Sequence, residues 1–146
     1  MDWVTEYLAI GSYRTTRDFE RLKQQGVEAV LYLFEDRDDW PEECKVLHLP
    51  IVDGEPVRCE TIKRGTEFVR SQIASRHKVV IACGAGISRS ATLVLACLLE
   101  DNYSLLEAWR LLKLKHPIAL PHPAMWKSLI DCYQLPDLLS DCLRWK

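Results

Sequence analysis

The sequence predicts an α/β fold with a central, mainly parallel sheet flanked by helices. Residues 29–34 and 79–82 are continuously apolar, which is typical of parallel strands that are covered on both faces. Residues 60–74, which lie between them in the chain, place apolar side chains on one face at helical spacing. Because strands and helices alternate along the chain, we expect mostly parallel strands joined by right-handed crossovers.

Four short apolar segments that end in turn residues are predicted as strands: residues 8–11, 29–34, 46–52 and 79–83. Pro50 lies near the end of the third strand, where a missing N–H is tolerated. The acidic stretch at residues 35–43 is interpreted as a solvated surface loop, with a recognition element as the alternative.

The predicted helices begin and end at capping residues. Thr15 or Thr16 can cap the first helix, and Gly26 lies just past its end. Ser104 begins another helix with a capping box, and Pro117 must end that helix by residue 116. The other helices are predicted at residues 60–74, 92–99 and 121–133.

Residues 1–146 are expected to form a single domain, because the chain is long enough to bury its own core and contains no repeat or linker. Its C-terminal tail, residues 137–146, should pack back on the domain or meet a partner through four apolar side chains. These are Leu138, Leu139, Leu143 and Trp145.

The overall charge and hydropathy argue against two classes of partner. The formal net charge of −2 gives no reason to expect binding to nucleic acid or to an anionic membrane. The longest apolar run, residues 91–99, is too short to cross a membrane, and no basic-then-apolar leader opens the chain. A cytoplasmic location is therefore expected.

The six cysteines are spaced irregularly, with no Cys-x-x-Cys pair and no histidines at zinc spacing. No metal site and no cofactor are predicted. Most of the cysteines are expected to be reduced, with Cys97 acting as a small core residue on an apolar helix.

The most informative stretch is residues 83–89, which we call the Cys83 loop; it follows the last predicted strand. Its glycines let backbone N–H groups curl around a small anion, and the apolar helix that follows adds its N-terminus. The predicted phosphate-binding residues are Gly84, Ala85, Gly86, Ile87, Ser88 and Arg89.

Cys83 is the candidate nucleophile toward phosphate monoesters. The loop amides, the helix dipole and Arg89 all favour its thiolate form, which is the reactive one. The Arg89 guanidinium can also hold two phosphoryl oxygens at once. Ser90 places a hydroxyl group within reach of the sulfur. A purely structural cysteine is the alternative interpretation of Cys83.

Asp53 is the candidate general acid and base. The leaving oxygen of a phosphate ester needs a proton, and water must later be activated. Asp53 follows a predicted strand whose carboxyl end should lie at the same sheet edge as Cys83. A turn-forming role is the alternative for Asp53, and Glu55 is the substitute candidate for the acid.

The chain resembles the small atypical dual-specificity phosphatases of the cysteine-based protein tyrosine phosphatase superfamily. The similar segments are the opening strand, the general-acid segment, the signature loop and the segment before the last helix: residues 7–12, 49–53, 83–90 and 117–121. This resemblance implies the protein-tyrosine-phosphatase-like fold. It also implies hydrolysis of phosphotyrosine and phosphoserine or phosphothreonine on protein substrates through a cysteinyl-phosphate at Cys83.

Two positions depart from the family pattern. Ala82 stands where the family usually has a histidine that helps to organise the loop, so a phosphate-binding pseudophosphatase or a weakly active phosphatase is the alternative function. His122 stands where the family often has asparagine; it either contacts the phosphate or the loop, or it faces solvent at the helix start. The uncharged loop residues Ala85, Gly86 and Ile87 favour singly phosphorylated side chains as substrates.

Overall fold

The computed structural model describes residues 1–35, 37 and 39–136. The strands are β1 (Asp2–Trp3), β2 (Leu8–Ser12), β3 (Val27–Tyr32), β4 (Lys45–His48) and β5 (Lys78–Cys83). The helices are α1 (Tyr13–Thr16), α2 (Phe19–Gln24), α3 (Cys59–Ala74), α4 (Arg89–Glu100), α5 (Leu105–Lys115) and α6 (Pro123–Tyr133). In this part of the chain, no helix combines the length and apolarity needed to span a bilayer.

The five strands form one sheet in the order β1-β2-β5-β3-β4. All neighbouring strands are parallel except β1, which pairs antiparallel with β2 at one edge. The predicted α/β class with a mainly parallel sheet is therefore confirmed. The two-residue strand β1 was not predicted, because so short a segment carries no periodicity.

The sheet separates two apolar clusters, and β5 contributes to both by alternation. Val79, Ile81 and Cys83 face the larger cluster, which also contains the buried faces of α3, α4, α5 and α6. Val80 and Ala82 face the smaller cluster on the side of α2. The nucleophile candidate thus lies on the α4 side of the sheet, and Ala82 lies on the other.

The third strand is shorter than predicted, because β4 ends at His48 rather than at residue 52. Pro50 has no N–H, so the regular ladder stops. The amides of Leu49 and Ile51 still donate to the carbonyls of Tyr32 and Leu33, at 2.8 and 3.1 Å. Residues 49–51 therefore follow the end of β3 without forming a strand with it.

The helix starts also differ from the prediction near the N-terminus. Ser12, rather than Thr15 or Thr16, caps α1, and Asp18 caps a separate helix α2 by accepting from the Arg21 amide. The predicted capping box at Ser104 is confirmed, and α5 ends at Lys115. The predicted tail contacts lie outside the described residues, and the single-domain organisation and the cytoplasmic location stay predictions.

The acidic stretch is only partly a solvated loop. Its described carboxylates are exposed, but the Arg37 side chain is only 6% exposed. The Arg37 guanidinium lies 4.0 Å from the ring centre of Trp40 and 5.1 Å from that of Phe19, and it bonds to Asp39 at 2.6 Å. Stacking on aromatic rings, together with the paired carboxylate, allows this cation to be buried.

One pair of cysteines is an exception to the expectation that most of the thiols are reduced. Cys59, at the start of α3, forms a disulfide with Cys132 on α6, across a sequence separation of 73 residues. Sequence spacing could not predict this pair, because only the fold brings the two helices together. The other described cysteines, Cys44, Cys83 and Cys97, are free. Burial raises the pKa of the Cys97 thiol, as befits a core residue.

Candidate active site

The candidate nucleophile lies at the carboxyl edge of the parallel sheet. Cys83 is the last residue of β5 and pairs in register with Ser12, the last residue of β2. Its Sγ lies 3.1 Å from the Oγ of Ser90, in the first turn of α4, and both residues are buried. The predicted contact between this thiol and the Ser90 hydroxyl is therefore present.

Three carbonyl groups of the Cys83 loop are bound from outside the loop. The Gly84 carbonyl accepts from the Tyr13 amide at 3.2 Å, and the Ile87 carbonyl accepts from the Leu120 amide at 2.9 Å. The Gly86 carbonyl accepts from the Nε2 of His116 at 2.7 Å.

These outward carbonyls determine where the loop amides point. The described peptide bonds contain no cis bond, and in a trans peptide the C=O and N–H groups point in opposite directions. The N–H groups of Ala85, Ile87 and Ser88 therefore point into the loop. Several inward N–H groups beside a helix N-terminus form a binding site for an oxyanion.

Gly86 meets two requirements that exclude a side chain. Its φ of +73° is one that residues with a β-carbon rarely adopt. A β-carbon at this position would also lie 2.9 Å from the carbonyl oxygen of Gly11. The loop therefore packs directly against the backbone of β2.

Arg89 begins α4 and joins the loop to its surroundings. One terminal nitrogen donates to the Ile51 carbonyl at 3.3 Å, and the guanidinium carbon lies 5.0 Å from the centre of the Phe34 ring. The Nε of Arg89 is buried and has no hydrogen-bond partner among the described residues. An oxyanion in the loop is the kind of group that can accept from such a buried donor.

Asp53 lies in the exposed turn after Ile51, the residue whose carbonyl binds Arg89. Gly54, with φ +82°, lies next to the ring of His122, which would approach a β-carbon there to 3.7 Å. Glu55 is also exposed. The turn that carries Asp53 and Glu55 is therefore adjacent to His122, whose amide bonds to Ser88 of the Cys83 loop. Which of the two carboxyl groups is the acid stays a prediction.

His122 has both of the roles that the sequence left open. Its backbone amide donates to the Oγ of Ser88 at 2.9 Å, so this residue contacts the Cys83 loop. Its ring Nδ1 accepts from the Ala124 amide, which caps α6, and the residue is exposed. Ser88 in turn donates to the sulfur of Met125 at 3.5 Å.

Ala82 offers the loop no polar side chain. It is fully buried in the α2-side cluster with Val80 and Tyr32, facing away from Cys83. A side chain that supports the loop, as the family's histidine does, must therefore come from another part of the structure.

His116 was missed by the sequence reasoning. It caps the C-terminal end of α5 and is 7% exposed, with its ring between the Asp2 carboxylate and the Gly86 carbonyl. The only sequence signal for these contacts is a histidine at the end of a predicted helix, and it identifies neither the Asp2 carboxylate nor the Gly86 carbonyl as a partner. Asp2 is distant in sequence and belongs to the unpredicted strand β1.

Comparison with known proteins places the chain in a family. The family model described as the dual specificity phosphatase catalytic domain matches residues 8–135. The chain belongs to the dual specificity phosphatase family. It is 27% identical over 135 residues to dual specificity protein phosphatase 14 of Mus musculus, covering 88% of this chain and 66% of that protein. It is 31% identical over 131 residues to dual specificity protein phosphatase 16 of Homo sapiens, covering 85% of this chain and 19% of that protein.

Solved structures of the dual specificity phosphatase type share the fold. Human DUSP28 superposes with a TM-score of 0.85 at 21% identity, covering 97% of this chain and 99% of that one. A human tyrosine phosphatase-like serine/threonine/tyrosine-interacting protein superposes with a TM-score of 0.82 at 21% identity, covering 92% and 95%. These likenesses confirm the predicted fold. Because one of these two proteins is a phosphatase-like interacting protein, the fold alone does not decide between catalysis and binding.

Proposed function

We propose that this chain is a cysteine-dependent phosphatase that hydrolyses phosphate monoesters on protein side chains through a cysteinyl-phosphate intermediate. The observation that carries the proposal is the position of the Cys83 thiol, at the base of a loop whose amides point inward and whose last residue is Arg89. A site that binds the phosphoryl oxygens and holds a sulfur nucleophile beside them can do phosphoryl transfer.

In the first step, the Cys83 thiolate attacks phosphorus, an S–P bond forms and the bond to the leaving oxygen breaks. Loop N–H groups and the Arg89 guanidinium stabilise the charge on the phosphoryl oxygens. Asp53 donates a proton to the leaving oxygen, with Glu55 as the substitute. The Ser90 hydroxyl, 3.1 Å from the sulfur, donates to the thiolate and stabilises it as leaving group in the second step.

In the second step, water attacks phosphorus and the S–P bond breaks. The same carboxylate accepts the proton of the water, which returns the acid to its starting state. The products are inorganic phosphate and free Cys83 thiolate. In this scheme the thiolate, the loop donors and the carboxylate supply the nucleophile, the charge stabilisation and the proton transfers of both steps.

The proposed substrates are phosphotyrosine first and phosphoserine or phosphothreonine second. Three exposed apolar side chains belong to the loop or to residues whose amides bond to it: Tyr13, Ile87 and Leu120 are 40%, 40% and 48% exposed. A phosphotyrosine ring can pack against such side chains. We expect kcat/KM to be about tenfold higher for phosphotyrosine than for phosphoserine in matched peptides, as one aromatic contact implies.

The second candidate function is a phosphate-binding pseudophosphatase. Ala82 supports it, because this position gives the loop and the thiol no polar side chain. The chain also spans 66% of the mouse relative and 19% of the human relative reported above, so activities that depend on the rest of those proteins are not transferred to it.

Hydrolysis of para-nitrophenyl phosphate tests the choice. We expect turnover that is inhibited by vanadate and lost in Cys83→Ser, while Cys83→Ser still binds sulfate by calorimetry. Anion binding without turnover in the unmodified protein would support the pseudophosphatase instead. Turnover that persists in Cys83→Ser would contradict the cysteine mechanism.

A further inference from the structure

His116 is a buried histidine whose two ring nitrogens both face oxygen atoms. Nδ1 lies 2.6 Å from a carboxylate oxygen of Asp2, and Nε2 lies 2.7 Å from the carbonyl oxygen of Gly86. A carboxylate and a carbonyl can only accept hydrogen bonds. A neutral imidazole has one N–H, so it can satisfy one of these partners. The imidazolium form, with two N–H groups, satisfies both.

The bond to Gly86 differs from the other outward bonds of the Cys83 loop. The carbonyls of Gly84 and Ile87 are held by backbone amides, which do not titrate at physiological pH. The Gly86 carbonyl is held by an imidazole side chain, a group that exists in a neutral and a charged form. Gly86 also has no β-carbon, so no side chain of its own restricts the peptide that follows it.

We propose that His116, as an imidazolium, is a positioning residue that keeps the Gly86–Ile87 peptide in its anion-binding orientation. The N–H of Ile87 points into the loop as long as the Gly86 carbonyl is held outside it. Loss of this bond frees the peptide to rotate and removes an inward donor. The consequence for catalysis rests on the proposed function, whereas the consequence for anion binding does not.

The proton that His116 loses first can be inferred from its two partners. The bond to Asp2 joins two charged groups and is the stronger one, so deprotonation leaves the hydrogen on Nδ1. Nε2 then presents a lone pair to the Gly86 carbonyl, and the contact becomes repulsive. Oxyanion affinity is therefore higher when His116 carries a hydrogen on both ring nitrogens than when it carries one on Nδ1 alone.

The charged groups around the ring leave Asp2 as its electrostatic partner. Asp2 lies on β1. On α5 itself, the Lys113 ammonium bonds to the carbonyls of Pro117 and Ala119, and Lys115 is exposed. On the loop side, Cys83 contacts Ser90, and Arg89 contacts Ile51 and Phe34.

Sulfate affinity of the Cys83→Ser protein, measured by calorimetry, tests the proposal without turnover and without the Cys83 thiol in the loop. Sulfate keeps its charge from about pH 5.5 to about pH 9, where histidines titrate. We expect its affinity to fall about tenfold across this range, as the loss of one charge-assisted bond implies.

Variants made in this Cys83→Ser background separate the bond from the charge. In His116→Gln, an amide N–H donates to Gly86 at every pH, so the affinity should stay flat. In His116→Ala, it should be low throughout. In Asp2→Asn, the amide can donate to Nδ1, so the neutral ring keeps its hydrogen on Nε2 and the affinity should also stay flat. His77→Gln, at a ring whose Nε2 lies 3.8 Å from Glu28, is the matched control and should behave like the parent.

Three results from the variants would overturn the proposal. The first is an affinity in folded His116→Ala equal to that of the parent at low pH. The second is a pH dependence in His116→Gln like that of the parent, which would assign the titration to another group. The third is a parent-like fall in Asp2→Asn, which would mean that the histidine acts only through its charge. Thermal melting shows whether the variants fold. If His116→Ala does not fold, the conservative variant His116→Gln still tests the proposal.

The outcome is independent of the proposed function. A protein that lacks turnover but shows this pH pattern would fail as an enzyme and support the role of His116. An active protein whose sulfate affinity is flat with pH in the Cys83→Ser form would support the proposed function and contradict the role of His116.

Discussion

The Cys83 loop and the turn at residues 52–55 lie side by side but are held in opposite ways. Three loop carbonyls are hydrogen-bonded from outside, and the loop glycine Gly86 packs on the backbone of β2. The turn is exposed, and one weak backbone bond within it, from the Glu55 amide to the Val52 carbonyl, spans 3.4 Å. The contrast separates two tasks: phosphate binding requires preorganised donors, and an acid that must later act as a base requires access to water.

Arg89→Lys should produce the largest effect, because lysine lacks the planar guanidinium that can hold two phosphoryl oxygens at the Cys83 loop. We expect kcat/KM to fall by about a hundredfold to a thousandfold, as for the loss of a transition-state donor. Steady-state kinetics with para-nitrophenyl phosphate measures it. Arg70→Lys, an exposed arginine paired with Asp101 at 3.2 Å, is the control and should be neutral. An active Arg89→Lys protein would mean that the loop amides alone bind the phosphoryl group.

Gly86→Ala and Gly54→Ala compare the two regions directly. Both glycines have positive φ, so each alanine should cost about 1 kcal/mol of unfolding free energy. At Gly86 the new methyl group would also meet the Gly11 carbonyl at 2.9 Å, whereas at Gly54 it lies 3.7 Å from the His122 ring. We therefore expect a loss of about 3 kcal/mol at Gly86, in the range of strained backbone and overpacking. Urea unfolding measures both, and equal losses would show that the loop can shift.

Asp53→Asn should lower kcat by about a hundredfold for phenyl phosphate, whose leaving group needs a proton, and much less for para-nitrophenyl phosphate. Glu55→Gln is the matched control from the same turn, and it should retain full activity. If the two results are exchanged, Glu55 is the acid. If the loss of kcat depends on the leaving group in neither variant, the turn does not supply the general acid.

Ser90→Ala should have the smallest effect on rate, about tenfold on kcat, because one neutral hydroxyl bond to the sulfur is removed. A burst of para-nitrophenol before the steady state should appear or grow, since the second step is the one that expels the thiolate. The exposed helix residue Ser71 supplies the control substitution, Ser71→Ala. An unchanged kcat without a burst would leave Ser90 with a structural role only.

The parts of the fold and site that sequence could predict are those encoded locally. The apolar runs of β3 and β5, the capping box at Ser104 and the Cys83 loop each carry their signal within a few residues. Cys83 and Arg89 were identified because one short loop holds both. The contact of Ser90 with the sulfur followed from its place at the start of α4.

The parts that sequence could not predict depend on residues far apart in the chain. His116 meets Asp2 across 114 residues, and Cys59 meets Cys132 across 73. Arg37 is buried because rings from separate elements surround it, which no local charge pattern indicates. Asp53 is an intermediate case: the strand predicted to lead directly to it ends earlier, at His48, and its role depends on a substrate that must bind first.

The Cys59–Cys132 disulfide closes the segment between these two residues into a covalent ring. The segment between these residues contains β5, the Cys83 loop, α4 and α5. A protease that cuts a connection inside this ring leaves both pieces attached to each other, and they separate only after reduction. Gel mobility of nicked protein with and without thiol would therefore report on the state of this bond, with no need to assay the phosphatase itself.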